Sequence, residues 1–240
     1  MIREVIHQAG ADILLVQELG SSAYLEELRL DLASEGLLYK YALHLAAADT
    51  SRQIGVLSRI APSEVVRHTD LEFKYFGEPA PVWRGLLEVI FEAESGTGFS
   101  LFGLHLKSRW TTDERDPQAR EYRTRSAEAC RDRVIERTVE RGELRYLIAG
   151  DFNDHPSSSA FRRFYQRGDL KLGSLLRAED SRGELWTYFY AREVTYQLID
   201  GMVLSPELMP HVKGGRGGII DHPQALEGSD HRLVYVDLEF

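Results

Sequence analysis

Ile2, Val5, Ile6 and Ala9 recur at i, i+3, i+4 and i+7, the spacing that gathers apolar side chains on one helix face. Gly10 ends that pattern, and residues 12–18 (DILLVQE) read as a buried strand with a carboxylate at its C-terminal end. A second helix is expected over 22–32, then strands around 39–44, 54–58 and 83–94. The turn Ser95-Gly96-Thr97-Gly98 joins the last of these to a strand over 99–106, which makes a hairpin. A polar loop over 108–118 precedes the longest helix, 119 to about 141, with Ala127, Cys130, Val134 and Thr138 as its inner stripe. Its outer face sets Arg133, Arg137 and Arg141 beside Glu128, Asp132, Glu136 and Glu140. That pattern reads as a solvated face laced by i,i+4 ion pairs, in preference to a nucleic-acid stripe. A short strand over 146–149 stops at Gly150-Asp151-Phe152-Asn153-Asp154, and the serines at 157–159 can cap a following helix. Strands return at 196–204 and 233–240, separated by Gly214-Gly215-Arg216-Gly217-Gly218, which reads as a mobile loop. No repeat, linker or shift of composition divides the chain, so one domain of many strands and few helices is expected over 1–240.

The composition, 43% hydrophobic and 28% charged over 240 residues, excludes disordered and collagen-like chains. No apolar run approaches the roughly 18 residues that cross a bilayer. A net charge of −9 argues against coating nucleic acid through bulk charge. It leaves open an enzyme that meets phosphate at one cation site, since a divalent ion reverses the local sign. A single cysteine, Cys130, rules out a disulfide within the chain and fits a reducing compartment or a disulfide-free exported protein alike. The N-terminus enters an amphipathic pattern at once, without a signal peptide, which favours the cytoplasm; secretion stays open should further sequence precede Met1.

Polar residues at strand ends change the picture more than any single motif. Glu18 ends one strand, His105 and Lys107 a second, Asp151 and Asn153 follow a third, Asp200 sits in a fourth, and Ser229-Asp230-His231 precedes the last. With these strands side by side, four carboxylates, two imidazoles and an amide meet on one rim. Carboxylates crowded in that way repel one another, and a divalent cation relieves the repulsion. Oxygen donors without thiolates point to Mg²⁺ or Mn²⁺ over zinc. Taken singly, Glu18 reads as a cap, His105 as a core imidazole and Gly150–Asn153 as a turn. Asp200 within an apolar strand is harder to dismiss, because a buried carboxylate needs a partner. Lys107 lies two residues beyond His105 on an extended segment, so both face one side and Lys107 is a candidate phosphate contact. Arg84, Arg109, Tyr122 and Arg125 form a looser polar group, and Trp186, Tyr188 and Tyr190 read as core packing for at least two of them, or as a stack for a base or sugar.

In order along the chain, ADILLVQE (11–18), IGVLSR (54–59), LHLKSR (104–109), GDFND (150–154), WTY (186–188), Ile199-Asp200 and SDH (229–231) resemble the endonuclease/exonuclease/phosphatase family. This is the deoxyribonuclease-I-like superfamily of metal-dependent phosphoesterases. The resemblance implies an α/β (α+β) fold, a four-layer αββα sandwich of two mixed β-sheets packed face to face with helices outside. It implies that Glu18 binds the metal, with Asp230 at or near the same ion. Asp151 orients or deprotonates the attacking water, and Asn153 holds that water or a phosphate oxygen. Asp200 fixes the His231 ring, and His231 and His105 stabilise charge on the phosphoryl oxygens. Whether Asp151 or His231 takes the proton stays open. Family members usually carry a further strand, ending in asparagine, ahead of the QE segment, whereas seventeen residues precede Glu18 here. The first strand is therefore expected to be missing, through an upstream start or a genuine truncation, and one sheet position is expected to stand open. The implied function is Mg²⁺-dependent phosphodiesterase or nuclease-type hydrolysis of a phosphate ester, DNA or RNA among the options. The alternatives are a catalytically impaired binding module, and a phosphomonoesterase or lipid phosphodiesterase.

Overall fold

The strands Gly98–His105 and Tyr146–Asp151 are buried along their whole length, as expected for a parallel pair covered on both faces. They are indeed the parallel pair at the centre of a six-stranded sheet. The computed structural model describes residues 1–92 and 98–240, so residues 95–97 of the expected turn lie outside the described residues. The six strands run in the order Ser174–Leu175, Asp200–Leu204, Tyr146–Asp151, Gly98–His105, Leu86–Glu92, Pro62–His68, with every other pairing antiparallel. On one face, Phe102, Leu104 and Ile148 pack against Ala127, Cys130 and Val134 of the helix Arg120–Arg141 and against Phe161. On the other, Leu87, Val89, Leu101 and Leu147 meet Ile54, Val56 and Leu45 of a second sheet. The outer face of that second sheet holds Leu14 and Leu57 against Leu25 and Leu32 of the helix Ser22–Ser34. Helix, sheet, sheet and helix therefore stack in four layers, as the resemblance implied.

The second sheet has three strands, and a further three-stranded sheet stands apart from it. Ile13–Leu19 and Tyr41–Leu45 flank Gln53–Ser58 in three antiparallel strands. A separate trio pairs Ala178–Glu179 in parallel with Gly217–Ile219, which pairs antiparallel with Val234–Tyr235. Among the described residues, Ile13–Leu19 has a strand on one side only.

Several local expectations need correction. Gly217 and Gly218 are strand residues, not part of a mobile loop. A Cβ on Gly218 would sit 2.3 Å from the Tyr235 ring, so glycine here permits a close backbone approach. The expected 233–240 strand shrinks to Val234–Tyr235, with Leu238 making only an isolated bridge to Val212. The 83–94 strand starts at Leu86, because Gly85 turns the chain at φ 63°. The long helix's arginines are not chiefly paired along the helix. Arg133 reaches Asp70 and the ring of His68, and Arg137 reaches Glu64 and the fully buried Glu88. The strand Pro62–His68 and the hairpin Glu72–Tyr75/Glu78–Pro81 were not anticipated. No helix of the described residues is long and apolar enough to cross a membrane.

Candidate active site

Register aligns the chemistry. His105 is the parallel partner of Asp151, and Asp151 is the antiparallel partner of Asp200, so three candidate side chains sit in one row across three neighbouring strands. Gly150, one residue before Asp151, has φ 144°, and a Cβ there would lie 1.9 Å from the Leu104 carbonyl oxygen. Only glycine lets the chain pass that close and still deliver Asp151 to the row.

Asp151 is buried. Its carboxylate accepts the Asn153 backbone N–H at 2.7 Å and the Asn153 amide Nδ2 at 2.6 Å, and lies 3.3 Å from His105 Nε2. Burial works to raise its pKa, but the His105 hydrogen bond and the charges of His105 and His231 outweigh that and lower it. Burial raises the Asp200 carboxyl, which lies 2.8 Å from His231 Nδ1. Burial opposes charge on His231 as well, yet its hydrogen bond to Asp200 and the nearby carboxylates lift the imidazole to about 9. Thr187 holds Asp200 from behind, its buried hydroxyl accepting the N–H groups of Ile199 and Asp200 at 3.1 and 3.0 Å.

Glu18 enters from the other sheet. The pairing shifts between Val16↔Gly55 and Leu19↔Gln53, a bulge that sets two residues against one and re-aims the strand. Glu18 sits there at φ 59°, and Asn153 has φ 53°. Asparagine tolerates the left-handed region; glutamate adopts it at a cost, and strain of this kind collects at functional sites. The Glu18 carboxylate, 64% exposed, lies 3.9 Å from His105 Nε2, and the equally exposed Asp230 carboxylate lies 4.0 Å from His231 Nε2. Asp151, Asp200 and His231 bring one donor atom each within 4.8 Å of one another, a trio that could hold a cation; Glu18 and Asp230 are not part of it. Each donor of that trio is a carboxylate oxygen or an imidazole nitrogen, and the lone thiol, Cys130, is buried on the inner side of the long helix. That donor chemistry fits a hard divalent ion.

A profile of the Endonuclease/Exonuclease/phosphatase family matches residues 1–231. The chain belongs to this family. No curated protein matches it. Among solved structures, an endonuclease/exonuclease/phosphatase family protein from Bacteroides thetaiotaomicron is 18% identical, covering 98% of this chain and 86% of that one, with a TM-score of 0.63. A 3′ phosphatase from Neisseria bound to product DNA hairpin is 17% identical over 100% of this chain and 93% of that one, TM-score 0.63. A mannosyl-6-phosphatase from the same Bacteroides species is 18% identical over 100% and 89%, TM-score 0.59. At these identities the likeness speaks for a shared fold.

Sequence reasoning missed how Gln17, Arg123 and Arg84 brace this candidate site, although Arg84 stood in its looser polar group. Gln17 reaches from one sheet to the other, its Oε1 accepting the Asp151 backbone N–H at 3.1 Å. Arg123 is buried and donates to the carbonyls of Lys107 and Gln118 and, through two nitrogens, to Asp154. Arg84, also buried, donates to the Leu106 carbonyl at 2.6 Å and to Asp49. One signal for Arg123 was legible: it stands four residues before Ala127 on the inner stripe, where a charge needs a buried partner. Lys107 departs from expectation. The strand ends at His105, and Lys107 folds back onto its own loop, donating to the Trp110 carbonyl and to Ser108. Arg109 sits 3.8 Å from Asp154, and Arg125 pairs with Glu121 and Glu128 on the helix surface.

Proposed function

We propose that this chain, acting as one domain over its 240 residues, is a divalent-cation-dependent phosphoesterase that hydrolyses P–O bonds with water, most directly a phosphodiesterase of nuclease type. The observation that carries this reading is the row His105–Asp151–Asp200 set by strand register, closed by the 2.8 Å contact of Asp200 with His231. A binding module has no use for two separate imidazole–carboxylate pairs beside the same buried aspartate. That is why the catalytic reading is preferred to the silent one.

Ester hydrolysis needs an aligned water, neutralisation of the phosphoryl oxygens and help for the leaving alkoxide. Asp151, kept anionic by His105, accepts a proton from the attacking water. Asn153 fixes the carboxylate's orientation through both oxygens, its backbone N–H on Oδ1 and its amide Nδ2 on Oδ2, while His105 shares Oδ2. Asp200 holds His231 in one ring orientation, so that Nε2 donates to a phosphoryl oxygen. His105 sits on the opposite side of Asp151, its Nε2 3.3 Å from that carboxylate. Glu18 and Asp230, the exposed carboxylates flanking the row, would hold a Mg²⁺ or Mn²⁺ ion together with nearby site oxygens. When bound, that ion supplies positive charge for the phosphoryl oxygens and the leaving group. Lys107 is a candidate phosphate contact once its ammonium leaves the Trp110 carbonyl.

The test is Mg²⁺-dependent cleavage of bis-p-nitrophenyl phosphate and of plasmid DNA. Asp151→Ala and His231→Ala are each expected to lower kcat by roughly 10²–10⁴. Equal rates for wild type and both variants would overturn the assignment.

A further inference from the structure

The hairpin of Tyr188–Tyr190 and Thr195–Gln197 takes no part in the phosphate chemistry above, yet it is fastened to the residues that do. Phe189 N–H donates to the Asp230 carbonyl at 2.9 Å, Arg232 N–H donates to the Thr187 carbonyl at 2.7 Å, and Tyr188 bridges His231. Alternation along the strand sends Tyr188 and Tyr190 to one face and Phe189 to the other. Phe189 stacks on Tyr196 at 4.8 Å, and Tyr196 meets Trp186 at 4.7 Å, so that face is the hairpin's own packing. The first face is a run of rings that begins at the candidate active site. The His231 imidazole lies 4.7 Å from Tyr188, and Tyr188 lies 6.3 Å from Tyr190 with ring planes 21° apart. Both tyrosines are half-buried.

The loop after His105 adds cations and one more ring. Trp110 is 74% exposed and lies 5.8 Å from the Lys107 ammonium. Aromatic faces of this kind recognise another π-face, and every nucleobase has one. Sugar phosphates, inositol phosphates and lipid phosphates have none. A net charge of −9 leaves little long-range attraction for a polyanion, so affinity has to come from short-range contact such as stacking.

We infer that Tyr188 and Tyr190 form a stacking subsite for an unpaired nucleobase joined to the phosphate that reaches His231. The substrate class is then a nucleotide ester whose base is free to stack, carried by a mononucleotide or by a single strand. This rests on the phosphoesterase reading, and the experiment separates the two.

Hydrolysis of a thymine dinucleotide is compared with that of the same backbone lacking both bases, for wild type, Tyr190→Ala and Tyr190→Phe. In wild type, removing the bases is expected to raise KM by roughly 5- to 150-fold. That ratio is expected to collapse towards one in Tyr190→Ala and to persist in Tyr190→Phe, which keeps the ring. Thymidine monophosphate run alongside tells a mononucleotide site from a strand site. Binding is read separately, without metal, from quenching of a single strand carrying the fluorescent base 2-aminopurine; Tyr190→Ala is expected to lose it. A wild-type KM indifferent to the bases, or a Tyr190→Ala penalty equal on both substrates, overturns the subsite while the phosphoesterase stands. Quenching that depends on Tyr190 in a protein that hydrolyses no ester keeps the subsite and overturns the phosphoesterase.

Discussion

At Asp200 and His231 a single 2.8 Å contact joins a strand residue to a segment 31 positions away in the sequence. Asp200→Asn keeps the shape but removes the carboxylate that orients the ring and favours its charge. We expect kcat to fall by roughly 10²–10⁴ with KM little changed, read by steady-state hydrolysis. A second buried pair governs stability. Asp180 accepts from Arg232, which is 2% exposed, at 2.8 Å, and from the N–H groups of Arg182 and Glu184. Burial pushes the Asp180 carboxyl up, but the arginine and those N–H groups outweigh it and hold it well below the usual carboxylate range. A depressed carboxyl contributes stability above its unfolded value, about pH 4, and loses it as pH falls through the folded value. Asp180→Asn takes from the buried Arg232 its nearest counterion and leaves it Asp221 at 3.7 Å, which is expected to cost about 3 kcal/mol at pH 7 by urea denaturation. Between pH 4 and 2 the variant should lose less stability than wild type. At this scale the meeting of the candidate residues was largely legible, because carboxylates and imidazoles inside apolar runs demand partners. The fold-back of Lys107 was not, because it follows from where the strand stops.

At the scale of elements, the parallel pair Gly98–His105 and Tyr146–Asp151 carries His105 and Asp151 and depends on Gly150. Gly150→Ala drives a methyl into the Leu104 carbonyl and strains the backbone as well. We expect a loss of about 3 kcal/mol or more, with the melting temperature falling and activity falling with it. The long helix's buried stripe was readable from its spacing, and Ala127, Cys130, Val134 and Thr138 are all buried. Where its arginines go was not readable. Arg137 leaves its own helix for Glu88 and Glu64 on the sheet, a choice made by the strand Pro62–His68 packed alongside. Two-residue strands such as Ala178–Glu179 are too short for any alternation to register, and they exist because a neighbour offers an edge.

Over the whole molecule, a six-stranded sheet stands beside two separate three-stranded sheets, with Ile13–Leu19 paired on one side among the described residues. In an antiparallel edge strand, alternate N–H groups point away from the partner. By hydrogen exchange, the outward amides among residues 13–16 should exchange far faster than those of Gly98–His105, which has strands on both sides. Uniform protection across 13–16 would show that another strand covers the edge. By itself the sequence determined the helix and strand periods, the order of the acidic and imidazole segments and the family they resemble, because local spacing and residue chemistry are written along the chain. Only the tertiary structure decided that His105, Asp151 and Asp200 share one row, that Gln17 spans the two sheets and that buried arginines clamp the loop after His105. Register, bulges and long-range hydrogen bonds depend on which segments meet in space, and the pattern along one strand carries no information about the strand it will pair with.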